Sequence, residues 1–209
     1  MKKRSKIRRK INRVEKVEKM NLGEEYKKIW KYLSASKFYL KLSIALFILF
    51  IITGVVFPVL FRDFIINYIK DILEKTEGLD FMSLVGFIFI NNLETSFFSI
   101  VLGIFLGFFP IFVLASNGYL LGFISRIVVE QEGAFSLWRL LPHGIFELPA
   151  IFISTGIGIK LGIDIMYRTE EEGLLLKELL NIFRVFIFLI IPLLVIAAFI
   201  EAGLILFVG

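Results

Sequence analysis

The stretch that decides the fold is Leu141-Pro142-His143-Gly144-Ile145-Phe146-Glu147-Leu148-Pro149-Ala150, which opens an apolar segment running to Gly162. It contains two prolines, the only histidine of the chain and one carboxylate. A charged side chain at the centre of a bilayer costs roughly 2.5–3.5 kcal/mol on insertion scales. Glu147 is therefore a candidate functional residue if this segment lies in a membrane.

Helix geometry would gather the polar groups of this stretch. Pro142 suits the first turn of a helix, where its missing N–H costs nothing. His143 and Glu147 are four residues apart and would share one face. Pro149 cannot donate to the carbonyl of Ile145, which leaves that oxygen free on the same helix. The residues expected to shape this helix are Pro142, Gly144 and Pro149.

The composition of the chain is that of an integral membrane protein. Of its 209 residues, 57% are hydrophobic and 24 are Phe, and the mean hydropathy is +0.83; soluble domains are nearer 45–50% apolar. Residues 42–209 are predicted to form one multi-pass transmembrane domain behind an arm of residues 1–41. The chain has no cysteine and one histidine, so we expect no disulfide, metal site or other cofactor.

The N-terminal arm, residues 1–41, is strongly basic, with 15 Lys or Arg and 4 acidic residues. Within it, Tyr26, Ile29, Trp30, Leu33 and Lys37 fall at helical spacing, which predicts an amphipathic helix on the membrane surface. We expect the arm to act as a positive-inside signal that holds anionic lipid headgroups. The alternatives are a protein-docking arm or nucleic-acid binding, and no nucleic-acid partner is expected.

Two crossings can be placed from apolar length. Leu42–Phe61 has 20 nearly uninterrupted apolar residues, about 30 Å of helix, the thickness of the hydrocarbon core. Arg62–Asp80 is polar with one apolar face, which predicts an interfacial helix on the far side. After a polar segment at Asp164–Asn181, the last crossing is predicted at Ile182–Val208, bent at Pro192.

The segment Leu84–Val129 is long enough for two crossings with little connection between them. It predicts a tight hairpin with its turn at Gly107–Pro110 or at Ser116–Gly118. The alternative is a short or re-entrant helix, which would keep Asn91, Asn92 and Glu94 out of the membrane. The predicted fold is therefore an all-α polytopic membrane protein with about five transmembrane helices.

The distribution of basic residues predicts the orientation. Five crossings with a cytoplasmic N-terminus put residues 1–41 and about 160–184 inside the cell. These segments hold 15 plus 4 Lys or Arg, and the outside receives five. The bias obeys the positive-inside rule and predicts a cell-membrane protein with its N-terminus in the cytoplasm. The five outside residues are Arg62, Lys70, Lys75, Arg126 and Arg139.

Glycines recur four residues apart, a spacing that lets helix backbones approach closely in lipid. The predicted helix-packing residues are Gly103, Gly107, Gly118, Gly122, Gly158 and Gly162. Packing within one chain is one interpretation of this pattern. The other is the face of a homodimer, and we expect the protein to be one.

The polar residues predicted inside the membrane have three interpretations. His143, Glu147 and Glu201 could lock helices together, form an ion, proton or solute site, or serve as acid and base in an intramembrane enzyme. Asn91, Asn92 and Asn117 are expected to hydrogen-bond between helices. Lys160, near the inner end of its helix, is expected to extend its ammonium toward the headgroups.

Several of these residues also carry a family resemblance. The run Pro142-His143-Gly144-Ile145-Phe146-Glu147-Leu148-Pro149-Ala150 resembles the signature of the stage II sporulation protein M family of integral membrane proteins. Asn91-Asn92, Asn117-Gly118 and Phe199-Ile200-Glu201-Ala202 resemble that family's other marks, in its order. The resemblance covers roughly residues 40 to 205 and leaves out the basic tail.

The resemblance implies a membrane scaffold that recruits or positions cell-envelope remodelling proteins and is not itself a hydrolase. The expected partners are the bilayer, a second copy and an unidentified membrane or envelope protein. The alternative is a transporter or channel for ions or small solutes built on the His143, Glu147 and Glu201 site. No nucleotide-binding loop or hydrolase motif is present, so we do not expect an enzyme.

Overall fold

The computed structural model describes residues 22–168 and 174–207, with the backbone alone at residues 139–143, 168, 174 and 207. Within these residues every element is a helix, and eight are α-helices. They are α1 Leu22–Ala35, α2 Lys37–Val56, α3 Arg62–Thr76, α4 Phe81–Val101, α5 Phe108–Glu132, α6 Leu141–Arg168, α7 Leu174–Val185 and α8 Ile191–Phe207.

In the described part of the chain, five helices are long and apolar enough to cross a membrane, so the predicted all-α polytopic fold is confirmed. They are Lys37–Val56, Phe81–Ile104, Phe108–Glu132, Gly144–Tyr167 and Leu175–Leu206. Because consecutive spans alternate in direction, α1, the α4–α5 turn and the α6–α7 junction lie at one end of the bundle. The α3 helix and the α5–α6 connection lie at the other, called here the α3 end.

The two outer predicted crossings were misplaced along the chain. The first span ends at Val56, five residues before Phe61, and the chain then turns into the predicted helix at Arg62–Thr76. The last span begins at Leu175 and not at Ile182. Polar residues here alternate with exposed leucines, so an amphipathic helix continues directly into the apolar one. That continuity was hidden by the charges of the segment 164–181.

The predicted hairpin at Leu84–Val129 is present with two full limbs, of 24 and 25 residues. The short or re-entrant alternative is therefore wrong for this part of the chain. A 3₁₀ turn at Leu102–Ile104 leads into the tip, where Leu106 and Gly107 have φ of 54° and 75°. Ser116–Gly118, the other candidate turn, lies inside α5. At the hairpin tip, Gly107 suits the left-handed backbone because glycine has no Cβ to clash.

Glycine contacts hold α2 and α5 together in parallel. A Cβ built on Gly122 would lie 2.2 Å from the carbonyl oxygen of Ile51, and one on Gly54 would lie 2.3 Å from that of Tyr119. Gly118 faces Phe47 one turn earlier. Helix backbones in lipid gain packing and weak hydrogen-bond contacts when small residues allow this approach.

A second set of glycine contacts joins the end of α4 to α6, also in parallel. A Cβ built on Gly158 would lie 2.1 Å from the carbonyl oxygen of Ser99, and one on Gly162 would lie 2.3 Å from that of Gly103. Gly107 lies over Ile159. The structure therefore places all six glycines predicted to pack helices against other helices of the same chain.

The predicted bend at Pro192 takes the form of a π-helical turn at Phe186–Ile190 between α7 and α8. Proline has no N–H to give to the carbonyl four residues earlier, which is that of Phe188. The hydroxyl of Tyr26 on α1 donates to this carbonyl at 3.3 Å. The interruption in the last span is thus matched by a donor from the N-terminal helix.

Candidate functional site

Helix α6 is built as the local sequence predicts. It begins at Leu141, so Pro142 lies in its first turn, and Pro149 lies inside it. The helix is continuous through His143 and Glu147, which places these two residues on one face. The histidine side chain lies outside the described part of the structure. Gly144 faces its own helix, since a Cβ there would be 3.1 Å from Leu148.

The carboxylates of Glu147 and Glu201 are enclosed by the bundle. Glu147 is 6% exposed and Glu201 is half-buried. In each side chain the Oε2 atom is shielded from solvent. A buried carboxyl is stable only where surrounding groups compensate for its lost hydration. We call these two residues the carboxyl layer.

The helix register puts both carboxylates in the half of the bundle near the α3 end. Parallel packing brings Ser99 of α4 opposite Gly158 of α6, so eleven residues earlier on each helix Ile88 lies level with Glu147. On α8, the ring of Phe199 lies against that of Phe81 with 6.1 Å between their centroids, so Glu201 lies near the start of α4 and nearer the α3 end than Glu147. The sequence predicted Glu201 as a third member of the site, and the structure places it in the same half of the bundle as Glu147 but not at the same level.

The three predicted asparagines are not equivalent. Asn92 is buried, four residues along α4 from Ile88 and therefore about one turn from the level of Glu147. Asn91 is exposed on the outer side of α4. Their amides approach each other, with Asn91 Nδ2 3.5 Å from Asn92 Oδ1. Asn117 donates from Nδ2 to the carbonyl of Val113 at 2.9 Å, within its own helix. The structure therefore does not gather all three around Glu147.

Buried hydroxyls between the helices were missed from the sequence. Ser96 and Ser99 of α4 and Ser154 and Thr155 of α6 are all at most 1% exposed. Ser99 donates to Thr95 at 2.6 Å, and Thr155 donates to Ile151 at 2.6 Å, both to carbonyls of their own helix. Such bonds satisfy a hydroxyl without a second helix, so small size at the contact is what these residues contribute. Ser99 and Ser154 stand four residues before Gly103 and Gly158, and this spacing of small residues could have predicted that they lie at a helix contact.

The described residues contain no group of three His, Cys, Asp or Glu side chains placed to hold a metal ion. Among the described side chains, the carboxyl layer supplies two carboxylates, which is fewer than the three protein ligands of catalytic zinc sites. Its chemistry is that of an enclosed polar layer within apolar packing.

Comparison with known proteins assigns the chain to a family. The family model described as stage II sporulation protein M matches residues 43–204. The chain belongs to the stage II sporulation protein M family. The resemblance predicted from the sequence is thereby confirmed.

The chain is also similar to an uncharacterized protein of Methanocaldococcus jannaschii. It is 33% identical over 128 residues, covering 57% of this chain and 56% of the relative. The aligned part thus spans little more than half of the relative's length. No solved structure matches the chain.

The region matched to the stage II sporulation protein M family begins after α1, yet α1 is anchored to the bundle. Its buried residues Ile29 and Leu33 join a core cluster with Leu161 and Ile182, whereas Trp30 is 63% exposed. Of the predicted apolar stripe, Ile29 and Leu33 therefore pack on protein, whereas Trp30 lies outside that contact. One face of α1 packs on α6 and α7 while the opposite face is free.

Ion pairs fasten the same helix to the family's transmembrane core. Lys160 pairs with Asp164 at 2.7 Å and with Glu178, which also accepts from the hydroxyl of Tyr32. The side chain of Lys160 is only 11% exposed, so the prediction that it extends toward the headgroups is wrong. Carboxylates on α6 and α7 are within reach and satisfy its ammonium inside the protein. We call Tyr32, Lys160, Asp164 and Glu178 the latch cluster.

A second pair lies nearer the surface. Arg184 Nε contacts Glu25 Oε2 at 2.7 Å, and Lys28 Nζ contacts Glu25 Oε1 at 2.5 Å. The hydrogen bond from Lys28, and that from Arg184, hold the pKa of the Glu25 carboxyl below its usual range. Burial, and the hydrogen bond to Glu178, raise the pKa of the Tyr32 phenol far above its usual value. Tyr32 therefore stays a donor to Glu178 at any physiological pH.

Proposed function

We propose that this member of the stage II sporulation protein M family is a membrane scaffold that positions partner proteins of the cell envelope, and that it is not an enzyme. The observation that carries the proposal is the burial of Glu147, which is 6% exposed. A carboxylate that serves a transport path needs a water-filled route to it from one side. A carboxylate enclosed by packed helices fits a structural role.

The packing around the carboxyl layer supports the same reading. The contacts of Gly158 with Ser99 and of Gly122 with Ile51 bring helix backbones into direct contact. Ala198 and Ala202, on either side of Glu201, are fully buried. Helices in contact at this distance leave little width for a hydrated passage. A rigid bundle of this kind is suited to hold surfaces in fixed positions on both sides of a membrane.

The α3 end offers the surface for an envelope partner. Val59, Phe64 and Leu73 are 78%, 73% and 61% exposed, whereas Ile65 of the same segment is 5% exposed and packs on Tyr119 and Phe123. With the N-terminus in the cytoplasm, as the basic residues predict, this end faces the outside of the cell. We propose that partners bind there, beside or within the headgroup region.

Site-specific photo-cross-linking in native membranes tests this proposal. A photoreactive amino acid at Phe64 should form an adduct with a defined envelope protein, and the same residue at Ile65 is the matched control because it faces α5. The adduct from Phe64 should be absent from Ile65. If Phe64 captures lipid alone, or if both positions capture the same proteins, the proposed surface is wrong.

An ion or small-solute transporter is the second candidate, and the position of the buried Glu147 close to a proline inside a membrane-spanning helix favours it. Pro149 lies inside the helix two residues after Glu147, and a proline within a span is an interruption of the kind that marks transport sites. Purified protein in proteoliposomes separates the candidates. A transporter should show flux of protons or monovalent ions that Glu147→Gln abolishes. The scaffold proposal predicts no flux above empty liposomes for either protein.

A further inference from the structure

The outer face of α4 presents polar groups at the middle of the membrane. Asn91 and Glu94 are both exposed, and they lie within the span Phe81–Ile104. Glu94 is ten residues from one end and thirteen from the other, roughly 15 and 20 Å along the helix axis. Among the described residues, Glu94 has no hydrogen-bond or ion-pair partner.

Lipid cannot cover this face without a penalty. Hydrocarbon offers no hydrogen bonds, so ionisable side chains at this depth almost always face protein or water. The other sides of α4 are already occupied, by α6 at Ser99 and Gly103 and by α8 at Leu84 and Ile88. The exposed side is therefore the part of α4 that needs another molecule.

The face has the spacing of a helix–helix contact. Its residues recur at intervals of three and four along α4, as in parallel helix pairs. All are exposed, and a Cβ built on Gly86 would meet nothing within 4 Å. The outer seam of α4 consists of Ser83, Gly86, Ile90, Glu94, Phe97 and Val101.

We propose that the outer seam packs against the same seam of a second copy, forming a parallel two-fold contact between the two α4 helices. Both copies insert in the same orientation, so Glu94 of each copy reaches the same depth. A carboxyl and a carboxamide one turn apart supply acceptors and donors together, and a two-fold axis pairs such a set with itself. Glu94 of one copy then bonds with Asn91 or Glu94 of the other.

This interface differs from the one that the glycine spacing predicted. The contacts within the chain already use Gly103, Gly107, Gly118 and Gly122, together with Gly158 and Gly162. A second copy therefore has to use another surface, and the outer seam is the polar one. The inference goes beyond the scaffold proposal and does not depend on it, since a dimeric transporter would use the same contact.

Cysteine cross-linking tests the contact, because the natural chain contains no cysteine. Single cysteines at Ile90 and Val101 of the seam should form disulfide-linked dimers in native membranes treated with copper phenanthroline. Ile48 of α2 and Ile196 of α8 are the controls, since they are 50% and 44% exposed on other faces. Equal dimer formation at seam and control positions overturns the proposal. So does linkage of the seam cysteines to a different protein.

Second-site changes then test what holds the seam. In the Ile90→Cys background, Gly86→Leu should block dimer cross-linking, and Gly203→Leu should not, since a Cβ at either glycine meets nothing within the chain. Glu94→Leu should weaken the dimer about tenfold, because two bonds are lost across the two-fold axis. Glu94→Gln keeps the hydrogen bonds and should retain the dimer. Unchanged cross-linking with both Gly86→Leu and Glu94→Leu contradicts the proposed contact.

Discussion

At the scale of single residues, the latch cluster shows how a charged group is accommodated beside an apolar core. Lys160 lies two turns from the end of its span, and its ammonium is paired with Asp164 and Glu178. These side chains are 11–15% exposed, so water screens them little. Removing one partner of such a pair should lower the stability of the fold, because the remaining charge would be partly buried without an opposite charge beside it.

Replacing Lys160 tests the contribution of this ion pair to the stability of the fold. Lys160→Met keeps the length of the side chain but leaves the partly buried carboxylate of Glu178 without its cation. We expect a loss of about 3 kcal/mol in the free energy of unfolding, the lower end for breaking a buried pair. Thermal unfolding in detergent micelles measures it. Lys37→Met, at an exposed position, is the control and should change little; equal loss in both variants would contradict the role of the pair.

Tyr32 should give the protein a distinctive sensitivity to alkali. Burial raises the pKa of its phenol in the folded chain, and the unfolded value is about 10. Below that pH the phenol is protonated in both states and its contribution is complete. Above it the unfolded chain loses the proton first, so stability falls by about 1.4 kcal/mol per pH unit. Tyr32→Phe should remove this part of the pH dependence. The measurement is the difference in melting temperature between pH 8 and pH 11 for the two proteins, and parallel curves would refute it.

At the scale of helices, direct backbone contact is what fixes the order of the bundle. Gly122 faces the carbonyl of Ile51 at a distance that no side chain could occupy. Gly203 on α8 faces open space. The two glycines therefore have opposite roles, although both stand in apolar helices.

The effect of adding one methyl group should follow this difference. Gly122→Ala forces α2 and α5 apart and should cost about 1–3 kcal/mol, the range for overpacking. Gly203→Ala should be neutral or should stabilise by about 0.5–1 kcal/mol, because alanine favours the helix. Thermal unfolding of the two variants side by side is the measurement. A Gly122→Ala protein as stable as the parent would show that the observed helix contact is not formed.

The sequence predicted the helices better than their docking. Apolar length and the prolines placed the hairpin, the α3 helix and the helix bearing Glu147, because these are local properties. The packing of α1 could not be predicted, since it depends on Glu178 and Arg184, which lie about 150 residues away in the chain. Periodicity indicated an apolar face on α1 but not whether lipid or protein covers it. Ile29 and Trp30 were therefore assigned to one stripe, although only Ile29 is covered by protein.

At the scale of the whole molecule, the candidate site was only partly predictable. The depth of Glu147 and Glu201 follows from their positions in long apolar helices. Their enclosure depends on helices that come together only in the folded bundle, where Ile88 of α4 shares a core cluster with Ala198 and Ala202 of α8. Asn117 was assigned to the same site because of its type, yet its described hydrogen bond stays within α5. Residue type indicates what a side chain can do, and packing decides which neighbours it has.

The central claim is that the carboxyl layer is sealed within a packed scaffold, and cysteine labelling tests it most directly. Single cysteines at Glu147 and at Ala150, which is 0% exposed, would be treated with a membrane-impermeant maleimide in vesicles of both orientations. Val59→Cys, at a position 78% exposed near the same end of the bundle, is the positive control. The account predicts rapid labelling at position 59 and none above background at positions 147 and 150 from either side. Labelling of position 147 from one side at a rate near that of position 59 would reveal a water-filled route and contradict the account.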